Sequence, residues 1–336
     1  MSSMSVALRL MSVVLDYSLY TISILTVIGI IGNLINILVF MTLKLFRSSQ
    51  SAFYLTAESF INIGQLIIIF LGRYLITFYG RDPAETSIFW CKMRNILGQI
   101  FRLLSTSFVC FAAFDQFLST NPRLNLRQLS TLTLARRLTI VSTCFWIFHS
   151  IPLAIYVNID SSATCGITND GLKNYYSIFY FPFVQGFLPI IFSSLFSILA
   201  YRNVRHLIRR QIPIIRRRLD RQLTAMVFVR VIFFTILSLP YSIYCIYKLN
   251  ASNDREVNFC LYAVNKLLEV IFVSLLNINY ASSFFIFIKS SARYSRQVKS
   301  FFARKCWKLL KRLCRIHPNV VHSLPSTSNV SANELE

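Results

Sequence analysis

Charge is scarce in these 336 residues, and negative charge is scarcest. Asp and Glu number 13 against 35 Lys and Arg, and together they make up 14% of a chain that is 55% hydrophobic. A soluble domain ordinarily carries about 25% charged residues. The shortage, set against so much apolar sequence, excludes a disordered chain and an ordinary cytosolic enzyme. Eight cysteines in a chain this long exclude a disulfide-stapled mini-protein. Catalytic signatures are missing too: there is no Gly-rich phosphate loop, no metal-ligand cluster and no nucleophile–base pair. The histidines His149, His206, His317 and His322 are scattered, none with a second ligand at helical spacing. No catalysis, metal or cofactor is therefore expected. What remains is a mean hydropathy of +0.55 and a formal charge of +22. Such a charge suits nucleic acid only on a water-facing patch, so its placement decides.

A helix crossing a bilayer needs about 20 mostly apolar residues, because the hydrocarbon core is about 30 Å thick. Seven stretches qualify: 17–43, 52–72, 88–118, 138–157, 176–201, 223–247 and 261–288. The third is interrupted by Lys92, Arg94 and Arg102, but from Ile100 to Leu118 only Arg102 and Asp115 are charged. Gly, Ser, Asn and Pro recur within the runs, which suits a packed bundle rather than inert anchors. Residues 1–16 hold a short apolar patch broken by Arg9, with no small-residue cleavage site after it, so no signal peptide is expected. The fold class that follows is an all-α membrane protein, a seven-transmembrane helix bundle.

The basic residues then fall into place. Lys44 and Arg47 follow span one, and Arg123, Arg127, Arg136 and Arg137 follow span three. The segment after span five is richer, running from Arg202 through Arg216, Arg217 and Arg218 to Arg221, and the tail after span seven is richer still. The alternate segments hold Asp16, Asp82, Glu85, Asp160, Asp170, Asp254 and Glu256. Positive loops stay cytoplasmic. The N-terminus is therefore expected outside, the C-terminus inside and the chain in the plasma membrane, with no nucleic-acid partner. Residues 1–16 make an extracellular N-terminus and 17–288 the bundle. Over 289–317, Val298, Phe302, Cys306, Leu309, Leu310 and Leu313 recur at spacings of three and four among Arg and Lys. That pattern predicts a short amphipathic cytoplasmic helix lying on anionic inner-leaflet lipid. Residues 318–336 read as a disordered cytoplasmic tail.

Seven spans in this order resemble a rhodopsin-like G-protein-coupled receptor over residues 17 to about 300. Gly32-Asn33 in span one, Asn62 in span two, Trp146 in span four, Pro189 in span five, and Phe234 and Pro240 in span six match that family's positions. Glu58 is the other candidate for the buried acid of span two. Cys91 and Cys165 match the family's disulfide and fall at the outer, oxidising face. Asp115-Gln116-Phe117 stands where the family has Asp-Arg-Tyr, and Ser283 to Phe287 where it has Asn-Pro-x-x-Tyr. Gln116 keeps a hydrogen-bonding head without the charge, and Phe287 has no hydroxyl for a water network. Phrases such as Gly186-Phe187-Leu188-Pro189 look similar to orphan peptide-receptor-like proteins of invertebrates.

The resemblance implies an extracellular ligand, helix six swinging outward on activation, and a heterotrimeric G protein met at Asp115, Gln116 and Phe117. Asn33, Asn62, Trp146, Pro189, Phe234, Pro240, Asn279 and Phe287 are the implied packing and activation positions. Gly98 stands where amine receptors keep an Asp, and Asn277 where visual pigments keep the retinal Lys. A peptide or small neutral ligand is what remains. Charges inside a span usually face the bundle interior, so Arg102 and Glu269 are candidate ligand contacts, with Gln99, Gln185, Tyr241 and Tyr244. The competing reading is an Arg102–Glu269 ion pair holding spans three and seven together. Arg230, near the inner end of span six, is expected to snorkel toward headgroups. Cys245 and Cys260 leave a second outer disulfide open, Cys306 and Cys314 are candidate lipidation sites, and Asn250 heads a glycosylation sequon. Two other functions stay open: a receptor-shaped protein that binds ligand or scaffolds partners without signalling, and a small-solute transporter. Against the transporter, the halves show no internal repeat.

Overall fold

A backbone inside hydrocarbon must satisfy its own hydrogen bonds, which leaves helices as the form open to apolar runs like these. The computed structural model describes residues 3–43, 46, 49–160, 164–207, 214–250 and 259–315. Among them are seven helical segments long and apolar enough to cross a membrane: Arg9–Thr42, Gln50–Tyr79, Ile88–Thr120, Leu132–Tyr156, Asp170–Arg205, Arg221–Lys248 and Leu261–Ala281. The chain is a multi-pass membrane protein. Most segments outrun the expected apolar stretches, because polar residues extend the helices past the apolar core. Span seven is shorter: its helix stops at Ala281 and a second helix, Ser283–Ser290, follows. The break sits where Ser283 turns to span one, its hydroxyl donating to Asn33 Oδ1 and accepting from Asn36 Nδ2, both at 3.1 Å.

Span one packs on spans two and seven, span three on spans two and five, and span six on spans five, seven and three. Span four leans on the outside, against spans three and two. Trp146 ties it there, its indole N–H donating to Ser107 Oγ at 2.8 Å. Unlike a soluble bundle, the outer face is apolar, and polar groups share the interior with apolar ones. Ile24, Leu34, Phe60, Ile140, Phe145, Ile191 and Ile236 face outward, whereas Asn33, Asn62, Ser105, Gln116, Arg230 and Asn279 are buried. Lipid offers apolar groups no reason to hide, so it is the polar groups that gather inside.

Close approach of spans one, two and seven depends on Gly29. A Cβ there would fall 2.6 Å from Leu66 Cδ1 and 2.9 Å from Ala281 Cβ. Gly29→Ala is expected to cost about 1–3 kcal/mol, the usual range for overpacking. Thermal unfolding in lipid nanodiscs checks this, and an unchanged melting temperature would count against the close packing. The same helix places Asn33, whose Nδ2 donates to the Gly29 carbonyl (2.8 Å) and across to the Tyr280 carbonyl (3.0 Å).

Span five opens in the wider π form over Tyr176–Phe187, with Pro182 inside it. Proline supplies no N–H for the α ladder, and a π bulge is a common way to absorb that loss. Leu188 N–H accordingly reaches back to the Phe183 carbonyl. Before span five, β1 (Val157–Ile159) and β2 (Cys165–Ile167) pair antiparallel, Ile159 facing Cys165. Strands of three residues do not stand alone. The Cys91–Cys165 disulfide, with Cα atoms 5.8 Å apart, anchors β2 to the start of span three. This is the disulfide end of the bundle; the opposite end holds Asp115 and, by sequence, leads into the Arg-rich segments.

Residues Met1–Ser295 form one compact unit, and Arg296–Glu336 a second. The helix Ala292–Arg315 falls in the stretch expected to be amphipathic. The side chains of Cys306, Cys314 and Asn250, and the tail beyond Arg315, lie outside what the structure describes. Cys245 is a buried free thiol; its proposed partner Cys260 is likewise outside the described side chains.

Candidate functional site

Helical spacing sends Arg102 and Thr106 from span three, Gln185 from span five, Phe234 and Ser238 from span six, and Asn279 and Tyr280 from span seven into one cavity inside the bundle. It measures about 10 Å³, enough for about one water molecule. Arg102 Nη1 donates to Tyr241 Oη at 2.7 Å, and the guanidinium lies 5.3 Å from the centre of the Tyr241 ring. Arg102 Nε, Gln185 Oε1 and Ser238 Oγ are shut off from solvent and meet no hydrogen-bond partner.

Of the six candidate ligand residues, Arg102 and Gln185 line this cavity, with Tyr241 bonded to Arg102. The other three lie elsewhere. Gln99 uses its whole amide in packing: Nε2 donates to Ser150 Oγ at 3.2 Å and meets His149 Nδ1 at 3.2 Å, while Oε1 accepts from Tyr176 Oη at 2.7 Å. Tyr244 stacks on Phe272 and donates to the Asn265 carbonyl at 3.3 Å. Glu269 does not pair with Arg102. It is taken by Lys248 and Lys266, each at 3.2 Å, and by Arg73 at 4.0 Å. The two in-span charges separate because Glu269 finds basic partners at the disulfide end, where spans two and six finish and span seven begins.

Arg230 departs most from expectation. It does not snorkel; it is fully buried and paired with Glu58, its Nη2 2.6 Å and its Nε 2.8 Å from Glu58 Oε1. Its Nη1 donates to Asn279 Oδ1 at 2.6 Å. Glu58 Oε1 also accepts from Asn62 Nδ2 (3.4 Å), and Asn62 Oδ1 accepts from Ser105 Oγ (2.7 Å). Four spans thus meet at one buried charge pair. The physical reason is partnership: a guanidinium beside a carboxylate inside the bundle gains more than one stretching toward the headgroups. Sequence carried the signal, since Glu58 and Arg230 lie at similar depths from the Arg-rich end, one acid and one base on different helices.

One turn and a half nearer that end is a second latch. Gln116 Nε2 donates to Ser51 Oγ at 2.7 Å, and Gln116 Oε1 accepts from Thr224 Oγ1 at 2.7 Å. Span three therefore holds span six through an uncharged amide. Asp115 beside it accepts from Ser51 Oγ, and from Ser130 Oγ at 2.6 Å, so it faces the segment after span three rather than span six. Phe117 packs on Phe196, with ring centres 5.3 Å apart.

Phe287, fully buried, sits between Phe40 (5.8 Å) and Tyr294 (6.0 Å). Tyr294 escaped the sequence reading, which treated its segment as a surface helix. Its hydroxyl donates to Asn36 Oδ1, and burial pushes its phenol well above the usual tyrosine range, so it remains a donor. Pro189 offers its carbonyl to Ser193 Oγ at 2.6 Å, one turn on. Pro240 lies inside span six, between the cavity residue Ser238 and Tyr241.

The arrangement is a seven-helix bundle with a polar cavity between spans three, five, six and seven, and with span six pinned below it at two places. The chain matches no protein-family model, and no curated protein sequence matches it.

Proposed function

We propose that this chain is a receptor that carries an extracellular signal across the plasma membrane, in the manner of the rhodopsin-like receptors it resembles. The observation that carries the reading is span six. Phe234 and Ser238 line the cavity, while Arg230 and Thr224 on the same helix make the two polar latches below it. A ligand that rearranges the cavity bears directly on a helix whose other end is held by a few discrete bonds. Such an element has two states, and a ligand acts by favouring one of them. In the open state span six moves outward at the Arg-rich, cytoplasmic end and admits a helix of a heterotrimeric G protein beside Gln116. The basic helix beyond Ser295 would rest on anionic inner-leaflet lipid.

Gln116→Leu removes both bonds of the second latch while keeping the side chain's bulk. Basal G-protein activation is expected to rise several-fold, since about 1–2 kcal/mol taken from the closed state shifts the equilibrium by that factor. Energy-transfer sensors for each G-protein class read this in cells. Basal output that stays flat in a variant of normal surface expression argues against the latch. A second reading has its own support in Gln116, which lacks the charge of the family's Arg: a receptor-shaped protein that binds ligand without engaging a G protein. Ligand binding with silence in every G-protein class would favour it.

A further inference from the structure

Four other basic side chains drawn into the bundle interior or its mouth have an acid against them. Arg230 has Glu58 at 2.6 Å, Arg94 has Asp82 at 2.7 Å, and Lys248 and Lys266 have Glu269 at 3.2 Å. Arg102 has none. Its described partners are a phenol and an aromatic face, both from Tyr241, and its Nε has no partner at all. No carboxylate lines its cavity. A guanidinium inside an apolar bundle is costly without a counter-charge, and a cation–π contact recovers about 2 kcal/mol or so at best. We infer that the missing charge comes from outside the chain: Arg102 is the anchor for the carboxylate of an acidic ligand.

This inference rests on the receptor reading for its purpose, though not for its chemistry. A guanidinium presents paired N–H groups that match a carboxylate in geometry and charge. Entry of the carboxylate frees Tyr241 Oη from Arg102, and Ser238 Oγ, which has no partner, supplies a further donor. The mouth is suited to such a ligand. Around the single carboxylate of Glu269 stand Arg73, Lys248 and Lys266, a surplus of positive charge that draws anions inward. The cavity is closed to about one water's room, so even formate, with three heavy atoms, enters as spans three and six part, and a larger acid parts them further. An acidic ligand departs from the neutral small molecule expected from sequence. A peptide with a free C-terminus and a small organic acid share this chemistry.

The test uses the full-length protein in nanodiscs, with sodium formate as the probe, formamide as its neutral isostere and constant ionic strength. Formate is expected to raise the melting temperature of the wild type saturably, with formamide without effect. In Arg102→Gln its apparent affinity falls about tenfold or more, the loss of a charge-assisted bond. Arg102→Gln itself keeps or raises the melting temperature without formate, because it removes an uncompensated charge. No formate shift, an equal shift with formamide, or an equal shift in Arg102→Gln overturns the inference. So does a large loss of stability in Arg102→Gln alone, which would make the arginine structural. A tripeptide-acid pool that outperforms the same pool as amides identifies a peptide C-terminus; short-chain monocarboxylates doing so identify an organic acid. Basal signalling of the Gln116 variant needs no ligand, so failure of the receptor reading and failure of the anion site appear in separate assays.

Discussion

Glu58→Ala should cost the folded bundle about 3–5 kcal/mol, the largest loss expected from any single polar change in this chain. Truncation leaves the buried Arg230 guanidinium with Asn279 Oδ1 as its remaining partner, and removing one member of a buried pair typically costs that much. Arg230→Met should be nearly as damaging, because it strands the Glu58 carboxylate. The double variant Glu58→Leu with Arg230→Met should recover most of the loss, since a buried pair replaced by apolar residues of similar size is often neutral or stabilising. Thermal unfolding of all three in nanodiscs closes a double-mutant cycle. Equal, additive effects would show that the pair does not act as a unit. In the receptor reading the double variant has a further consequence. It folds but lacks the upper latch, so its basal output should exceed that of the wild type. A stable double variant with wild-type basal output would reduce the pair to a purely structural role.

Cys91→Ala is expected to cost about 2–5 kcal/mol, and the source differs. The disulfide closes a loop with a sequence separation of 74. For an unrestricted chain, loop-closure entropy of that size is roughly 4.5 kcal/mol. Spans three to five remain threaded in lipid when the bundle loosens, so the realised value lies below that. Cys165→Ala should match Cys91→Ala, and the pair changed together should lose no more than either alone. Reduction of the wild type should reproduce the loss and leave the single variants unmoved. A reductant that lowers the melting temperature of Cys91→Ala further would point to a second bridge. Locally, β2 loses its anchor to span three, so hydrogen exchange at Cys165–Ile167 should accelerate strongly.

The seven helices were legible because length and hydropathy alone decide what crosses a bilayer. The Cys91–Cys165 bridge was legible through its compartment and the family pattern. Arg230 was misread because a lone basic residue near a helix end has two outlets, the headgroups and a buried acid. Choosing between them requires knowing which helices are neighbours. The Arg102–Glu269 pairing failed for the same reason: depth along a helix was available, but rotation about its axis was not. Gln99 looked like a cavity residue by depth and instead faces span four and the aromatic start of span five. Tyr294 was hidden by the basic residues around it, whose abundance suggested a surface helix throughout.

The Glu58–Arg230 pair also bears on how the chain is made. The two residues are 172 positions apart in sequence, and synthesis proceeds at about 5–20 residues per second. The carboxylate therefore enters the membrane roughly 10–35 seconds before its guanidinium exists. Lodging an unpaired charge within a span costs up to about 2.5–3.5 kcal/mol on insertion scales, the value at a helix centre, and span two bears its share of that cost alone until span six arrives. Biogenesis of this protein then has a vulnerable interval, ended by a single pairing event between its second and sixth helices. Nascent chains truncated before Arg230 should be recognised by quality control far more readily than chains truncated just beyond span six.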